Sequence, residues 1–235
     1  MKLNRERKNS VQKVFLSVVL FVALTMPNTT MAQNSREYIR KTISQKGQCR
    51  NVAITNFGGS VMLYGKNGYA YKDISPLLAS KIKNLATERK YIDDIQLTNT
   101  GSWIILAEDV VWYDIPAGLE KQLKNFYNLG EKITAVTLND YGEWIVVGTK
   151  EIAASSYKYI NWLKDGISSY GNLRTVHMTD DAIVAVFERG FKYGGETPQS
   201  LIKAIKEADF EVYKVKFVGK SWFIASKNGK CKYYM

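Results

Sequence analysis

Residues able to carry chemistry are scarce in this 235-residue chain, which has one histidine, two cysteines and four prolines. A metal cluster of His and Cys ligands is excluded by that count, leaving only an all-carboxylate site, and a Ser-His-Asp triad has only His177 to draw on. No GxSxG occurs, and the short glycine clusters "GKNG" and "GGET" lack the spacing and the Lys-Ser/Thr that a phosphate- or dinucleotide-binding loop needs. No cofactor is therefore expected. Long apolar runs are missing too. The one sustained run, "VFLSVVLFVALTM" (14–26), has 13 residues, too few to cross a bilayer.

That run follows Lys2, Arg5, Arg7, Lys8 and Lys13 and precedes the small-residue stretch "TTMAQ". Basic, apolar and small residues in this order form a bacterial signal peptide, so residues 1–32 are expected to be removed near Ala32 and the remainder to be periplasmic or secreted. The formal charge of +11 then falls to +7 for residues 33–235, with 28 basic and 21 acidic side chains. The lysines are dispersed, as in "SKIKNLATERK", with no compact basic block, so a nucleic-acid partner is not expected, nor is a transmembrane segment in the mature chain.

What the chain does have is repetition. "GSW" at Trp103, "GEW" at Trp144 and "KSW" at Trp222 share a context and lie 41 and 78 residues apart, while Val61 and Ile183 occupy the matching place in the two remaining units. Pro76, Pro116 and Pro198 give a second marker at spacings of 40 and 82, each beside a helix start, where a missing N–H leaves no hydrogen bond unmade. Five units of about forty residues emerge: 51–91, 92–132, 133–172, 173–214 and 215–235. Within each, an alternating strand ("DIQLT", "AVTLN") leads through a turn to a nearly continuous apolar strand ("WIIL", "WIVV"), then a short third strand and an amphipathic helix. The last unit lacks its helix, and a helix-like stretch at 35–47 has no strands before it. The expectation is an α/β repeat fold in one domain, 33–235: a closed ring of ββ(β)α units in which the N-terminal helix completes the last one, with no unpaired ends to cap. Trp, Val and Ile interchange at the marker position, so those tryptophans are read as core.

Cys49 and Cys231 belong to that composite last unit, and two cysteines in an exported chain imply a Cys49–Cys231 disulfide joining the ends. A five-unit ring of strands and helices resembles the pentein-type α/β-propeller, shared by guanidine-modifying enzymes and a noncatalytic ribosome-associated factor. The resemblance implies, as an alternative, a thiol hydrolase in which Cys231 of "NGKC" is the nucleophile and His177 of "VHMTDD" the base. Supporting carboxylates are not evident, since Asp180 and Asp181 stand where other units have turn residues, and His177 aligns with Gln96, Thr137 and Lys216 on an alternating strand.

The remaining lead is aromatic. Tyr69, Tyr71, Trp112, Tyr113, Tyr193 and Tyr233 all fall on or beside third strands, where a ring with a polar tip suits either a ligand or the seam between sheet and helix. The sequence thus points to an exported noncatalytic binding or interaction protein for an unknown protein, peptide or glycan. The alternatives are the thiol hydrolase and a purely structural or assembly module.

Overall fold

The computed structural model describes residues 27–235, so the basic and apolar parts of the expected signal peptide lie outside the described residues. Helix α1 (Pro27–Lys46) opens the described chain. Then come β1 (Asn51–Ile54), β2 (Ser60–Tyr64), β3 (Gly68–Lys72) and α2 (Pro76–Thr87), followed by β4 (Asp94–Leu97), β5 (Trp103–Leu106), β6 (Val110–Tyr113) and α3 (Ala117–Asn128). The third group is β7 (Ile133–Leu138), β8 (Trp144–Gly148), β9 (Ile152–Ala154) and α4 (Tyr157–Tyr170), and the fourth β10 (Leu173–Met178), β11 (Ala182–Phe187), β12 (Phe191–Gly195) and α5 (Gln199–Lys206). Strands β13 (Lys214–Val218), β14 (Ser221–Ala225) and β15 (Cys231–Tyr234) end the chain. The fold is mixed α/β, with five three-stranded antiparallel sheets, each ordered first, second, third strand.

Local chemistry sets the boundaries. Helix α1 begins eight residues before the expected 35, because no Gly or Pro interrupts 28–46, and it stops at Gly47, whose φ of 71° suits a residue without Cβ. The Ser75 hydroxyl accepts from Leu78 N–H at 3.2 Å and Pro76 takes the first helical position. Pro116 and Pro198 sit one place earlier, as caps whose carbonyls accept the first helical N–H groups, from Glu120 and Ile202. Asp73, Asp114 and Gly195 end the third strands of their sheets with φ near 50°, 49° and 67°. A Cβ on Gly195 would run into the Asp181 carbonyl, so that corner has to be glycine.

Each helix fills the gap between two sheets. Leu78, Ile82 and Leu85 of α2 pack on Val61 and Leu63 of the first sheet and on Ile95, Trp103 and Ile105 of the second. Leu119, Leu123 and Phe126 of α3 do the same between Ile104 and Trp144, and α4 and α5 repeat it. Ile39 and Ile43 of α1 lie against Phe223 and Ala225 of the fifth sheet and Val52 and Met62 of the first. Among the first strands, β1 touches β4, β4 touches β7, β7 touches β10, β10 touches β13, and β13 touches β1.

Trp103, Trp144 and Trp222 are 2%, 9% and 8% exposed and pack against the preceding helix. The register shifts one expectation. Ser60, not Val61, is the residue of the first sheet that stands in the Trp position: Ile54 pairs with Ser60 as Leu97 pairs with Trp103, and the next turn closes Thr55 to Gly59 as it closes Thr98 to Ser102. Val61 instead faces its own helix, as Ile104 does.

Candidate functional site

Alternation along the first strands sends one set of side chains toward helices and the other toward the neighbouring first strands. Val52, Ile95, Val136, Val176 and Val215 take the first direction, each in a different apolar cluster. The second set is largely polar: Asn51 and Ala53, Asp94 and Gln96, Ala135 and Thr137, Thr175 and His177, Lys214 and Lys216. His177 does share its register with Gln96, Thr137 and Lys216, each opposite the second residue of the middle strand or its equivalent.

These groups fill the interior with bonds to one another. The Lys216 ammonium meets the Asp94 carboxylate at 2.6 Å and donates to the Ile95 carbonyl. Asn51 and Gln96 amides also donate to Asp94, and Lys214 bonds Asp93 at 2.6 Å. Burial pushes the Asp94 carboxyl up, but Lys216, Lys214 and the Asn51 amide outweigh it and hold that carboxyl below its ordinary range. Burial lowers Lys216, with Asp94 pulling the other way, and the two aspartates raise Lys214 against its own burial. His177 Nε2 lies 3.0 Å from the Phe217 carbonyl, and its Nδ1 has no partner among the described residues. Burial, reinforced by Lys216, lowers that imidazole to about 3, so it is neutral at physiological pH. His177 borders a cavity of only about 20 Å³ on one side and a wider one of about 480 Å³ on the other.

Two wider mouths lie at the opposite ends of the first strands. The one at their C-terminal ends, of about 480 Å³, carries Asp140, Asp180, Asp181 and Glu196 against a single Lys220. Its turns are chained together: Asn56 N–H donates to the Asn99 side chain, Asn99 N–H to Asp140, and Asp140 N–H to Asp180. Asp180 is thus the turn residue the sequence pattern suggests, bound to backbone, and its carboxyl is pushed up by burial and by Asp140. The mouth at the N-terminal ends, of about 650 Å³, is lined by Arg50, Asp93, Thr134, Arg174 and Tyr213, each the residue just before or at the start of the paired strand in its unit. At Thr134 and Arg174 the strands β7 and β10 each carry a register shift, which leaves that residue without a partner on the middle strand. The Arg50 guanidinium lies 4.4 Å over the Tyr91 ring and Arg174 lies 5.0 Å over Tyr213.

Of the candidate site residues singled out from sequence, His177 borders the mouth at the C-terminal strand ends and the others lie away from both mouths. The expected disulfide is not formed: Cys49 and Cys231 are free thiols, within one apolar cluster. The Cys49 thiol is directed to the Asn51 carbonyl at 3.4 Å, and the ends of the chain are joined instead by the Cys49 N–H bond to Gly229 O and by packing around Ile39 and Ile43. Burial raises both thiols, the opposite of an activated nucleophile. Cys231 lies on the third strand of the fifth sheet and His177 on the first strand of the fourth, and no cavity described here is lined by both.

Tyr71, Trp112, Tyr193 and Tyr233 occupy equivalent positions on four third strands, opposite Val61, Ile104, Val184 and Phe223, so they are dispersed one to a sheet. Tyr69, Trp112 and Tyr233 pack on apolar clusters, while Tyr113 stacks on Trp103 and Tyr193 on Phe191. Tyr69 and Tyr71 stack on each other, and none of the six lines either mouth. Arg50 and Arg174 of this mouth carry a single signal in the sequence, variation at the position before each first strand. Among the described residues no group of three or more His, Cys, Asp and Glu side chains could hold a metal ion, and no helix is long and apolar enough to cross a membrane. No protein-family model matches the chain, and no curated protein matches it in sequence.

Proposed function

We propose that this is an exported, noncatalytic binding protein built as a closed ring of five α/β units, which holds its ligand at a mouth of the ring. The observation that carries the reading is the contrast between columns of equivalent residues. Positions facing the helices keep one apolar character from unit to unit, whereas the position before each first strand runs Arg50, Asp93, Thr134, Arg174, Tyr213. The inward-facing positions vary as well but are spent on bonds to one another, so a varied rim beside constant apolar columns supports the rim as the place for a partner. Contact of β13 with β1, and α1 packed between the fifth and first sheets, support closure. The filled interior supports a surface mouth over a through-channel.

The decisive experiment is a screen of the purified protein against immobilised glycans and peptides, run beside an assay for hydrolysis of guanidinium substrates. Binding without turnover is the expected result. Turnover lost in Cys231→Ser would overturn the noncatalytic reading.

A further inference from the structure

We infer that the mouth formed by the N-terminal ends of the first strands binds an organic anion, a carboxylate carried on an apolar body. This rests on the binding reading above and gives it a site and a ligand class. The argument begins with Arg50, which is 7% exposed yet forms no ion pair among the described residues. Its Nε, Nη1 and Nη2 donate to the carbonyls of Gly65, Ile92 and Lys66, and its face rests on Tyr91. A guanidinium has five N–H donors, so two are left over, on a cation whose orientation is already fixed. Removing a charge from water without a counter-charge is costly, and a carboxylate entering the mouth would supply it through charge-assisted bonds.

The surroundings agree. Lys132 and Lys227 line the same cavity without ion pairs among the described residues, and Arg174 shares its charge with Glu211 at 3.1 Å. Lys214 is neutralised by Asp93. Leu106, Ala107 and Ile133 are also in the lining, and about 650 Å³ is the size of a small-molecule site that is apolar with a few placed charges. A long polyanion would have to pass Asp93 and Glu108 on the second unit's side, which favours a single anionic head. The opposite mouth, rimmed by Asp140, Asp180, Asp181 and Glu196, repels such a ligand.

N-acetylphenylalanine and its uncharged amide, titrated calorimetrically into the full chain at low ionic strength, test the inference. The acid should bind saturably and the amide about tenfold or more weakly. The double variant Lys132→Gln, Lys227→Gln changes two exposed side chains at the rim, leaves the buried Arg50 in place, and should weaken the acid about tenfold while the thermal midpoint stays unchanged. N-acetyl-Gly-Gly-Phe distinguishes the source: tighter binding than N-acetylphenylalanine assigns the site to a peptide C-terminus, weaker binding to a free carboxylate. Equal binding of acid and amide, no saturation by the acid, or an unaltered double variant overturns the inference. The broader binding reading then stands if the glycan and peptide screen still yields a ligand, and falls only if turnover is found.

Discussion

His177 shows how much one side chain depends on its surroundings. Its ring is held neutral by burial and by the Lys216 ammonium, against the weaker pull of the Phe217 carbonyl and the Asp94 carboxylate. The ordinary imidazole of the unfolded chain takes up a proton near pH 6.5, whereas the folded one resists until about 3. Between those values the unfolded state binds the extra proton, so stability is fully present above the upper value and declines as the pH falls toward the lower one. The slope approaches about 1.4 kcal/mol per pH unit within the window. Urea unfolding at a series of pH values should therefore show a steeper acid loss for the native chain than for His177→Gln, which installs the residue already present as Gln96 in the second unit. Parallel curves would refute the assignment. Asp94 adds to the loss only lower, since its folded carboxyl is depressed below 3.8 and its pairing with Lys216 disappears when it protonates.

At the scale of elements, α1 is the piece whose position was hardest to infer and whose role is now clearest. The 3.6-residue pattern made 35–47 a helix, and the missing helix after β15 gave it a place, and Ile39 and Ile43 do bury against both the fifth and the first sheet. Ile39→Ala should lower the unfolding free energy by about 2–5 kcal/mol, read from denaturant midpoints, because the cluster it leaves is fully enclosed. A loss no larger than that of an exposed control such as Lys41→Ala would mean α1 is not part of the folded core. The strands were legible because alternation and continuous apolar runs differ in period. The register of the first sheet was not, since Val61 matches a Trp in bulk and Ser60 does not, yet the buried Ser60 holds the equivalent place. The basic mouth escaped for a related reason. Arg50 and Arg174 are solitary residues at strand entrances, gathered by folded-state contacts: three backbone carbonyls and Tyr91 hold Arg50, and Glu211 and Tyr213 hold Arg174. The disulfide was inferred from count and compartment, which say nothing about where a thiol is aimed.

For the molecule as a whole, the question is whether five sheets behave as a row or as a circuit. In a row, each unit is stabilised by its neighbours alone, and removing the last one costs little elsewhere. In a circuit the fifth sheet also supports α1 and the first sheet. Truncation after Asp209 removes β13–β15, so a closed ring predicts loss of the cooperative transition in urea, followed by circular dichroism. A truncated chain that still unfolds cooperatively at nearly the same midpoint would identify an open row.

The chained turns add something about how this molecule comes apart. The series of donors runs from Asn56 through Asn99 and Asp140 to Asp180, and there the fifth sheet has Gly219, which has no side chain to receive the next bond. One flank of the fifth sheet thus lacks the latch its neighbours share, and its other flank is completed by α1, from the far end of the polypeptide. The turn of the fifth sheet is therefore not tied to that of the fourth by the bond the earlier turns share, and the sheet itself is held by Lys216 on Asp94, by His177 at the Phe217 carbonyl and by Cys49 N–H on the Gly229 carbonyl. The turn at 218–221 is thus the one expected to loosen before the turns of the second to fourth sheets, and its amides should exchange with solvent deuterium ahead of theirs.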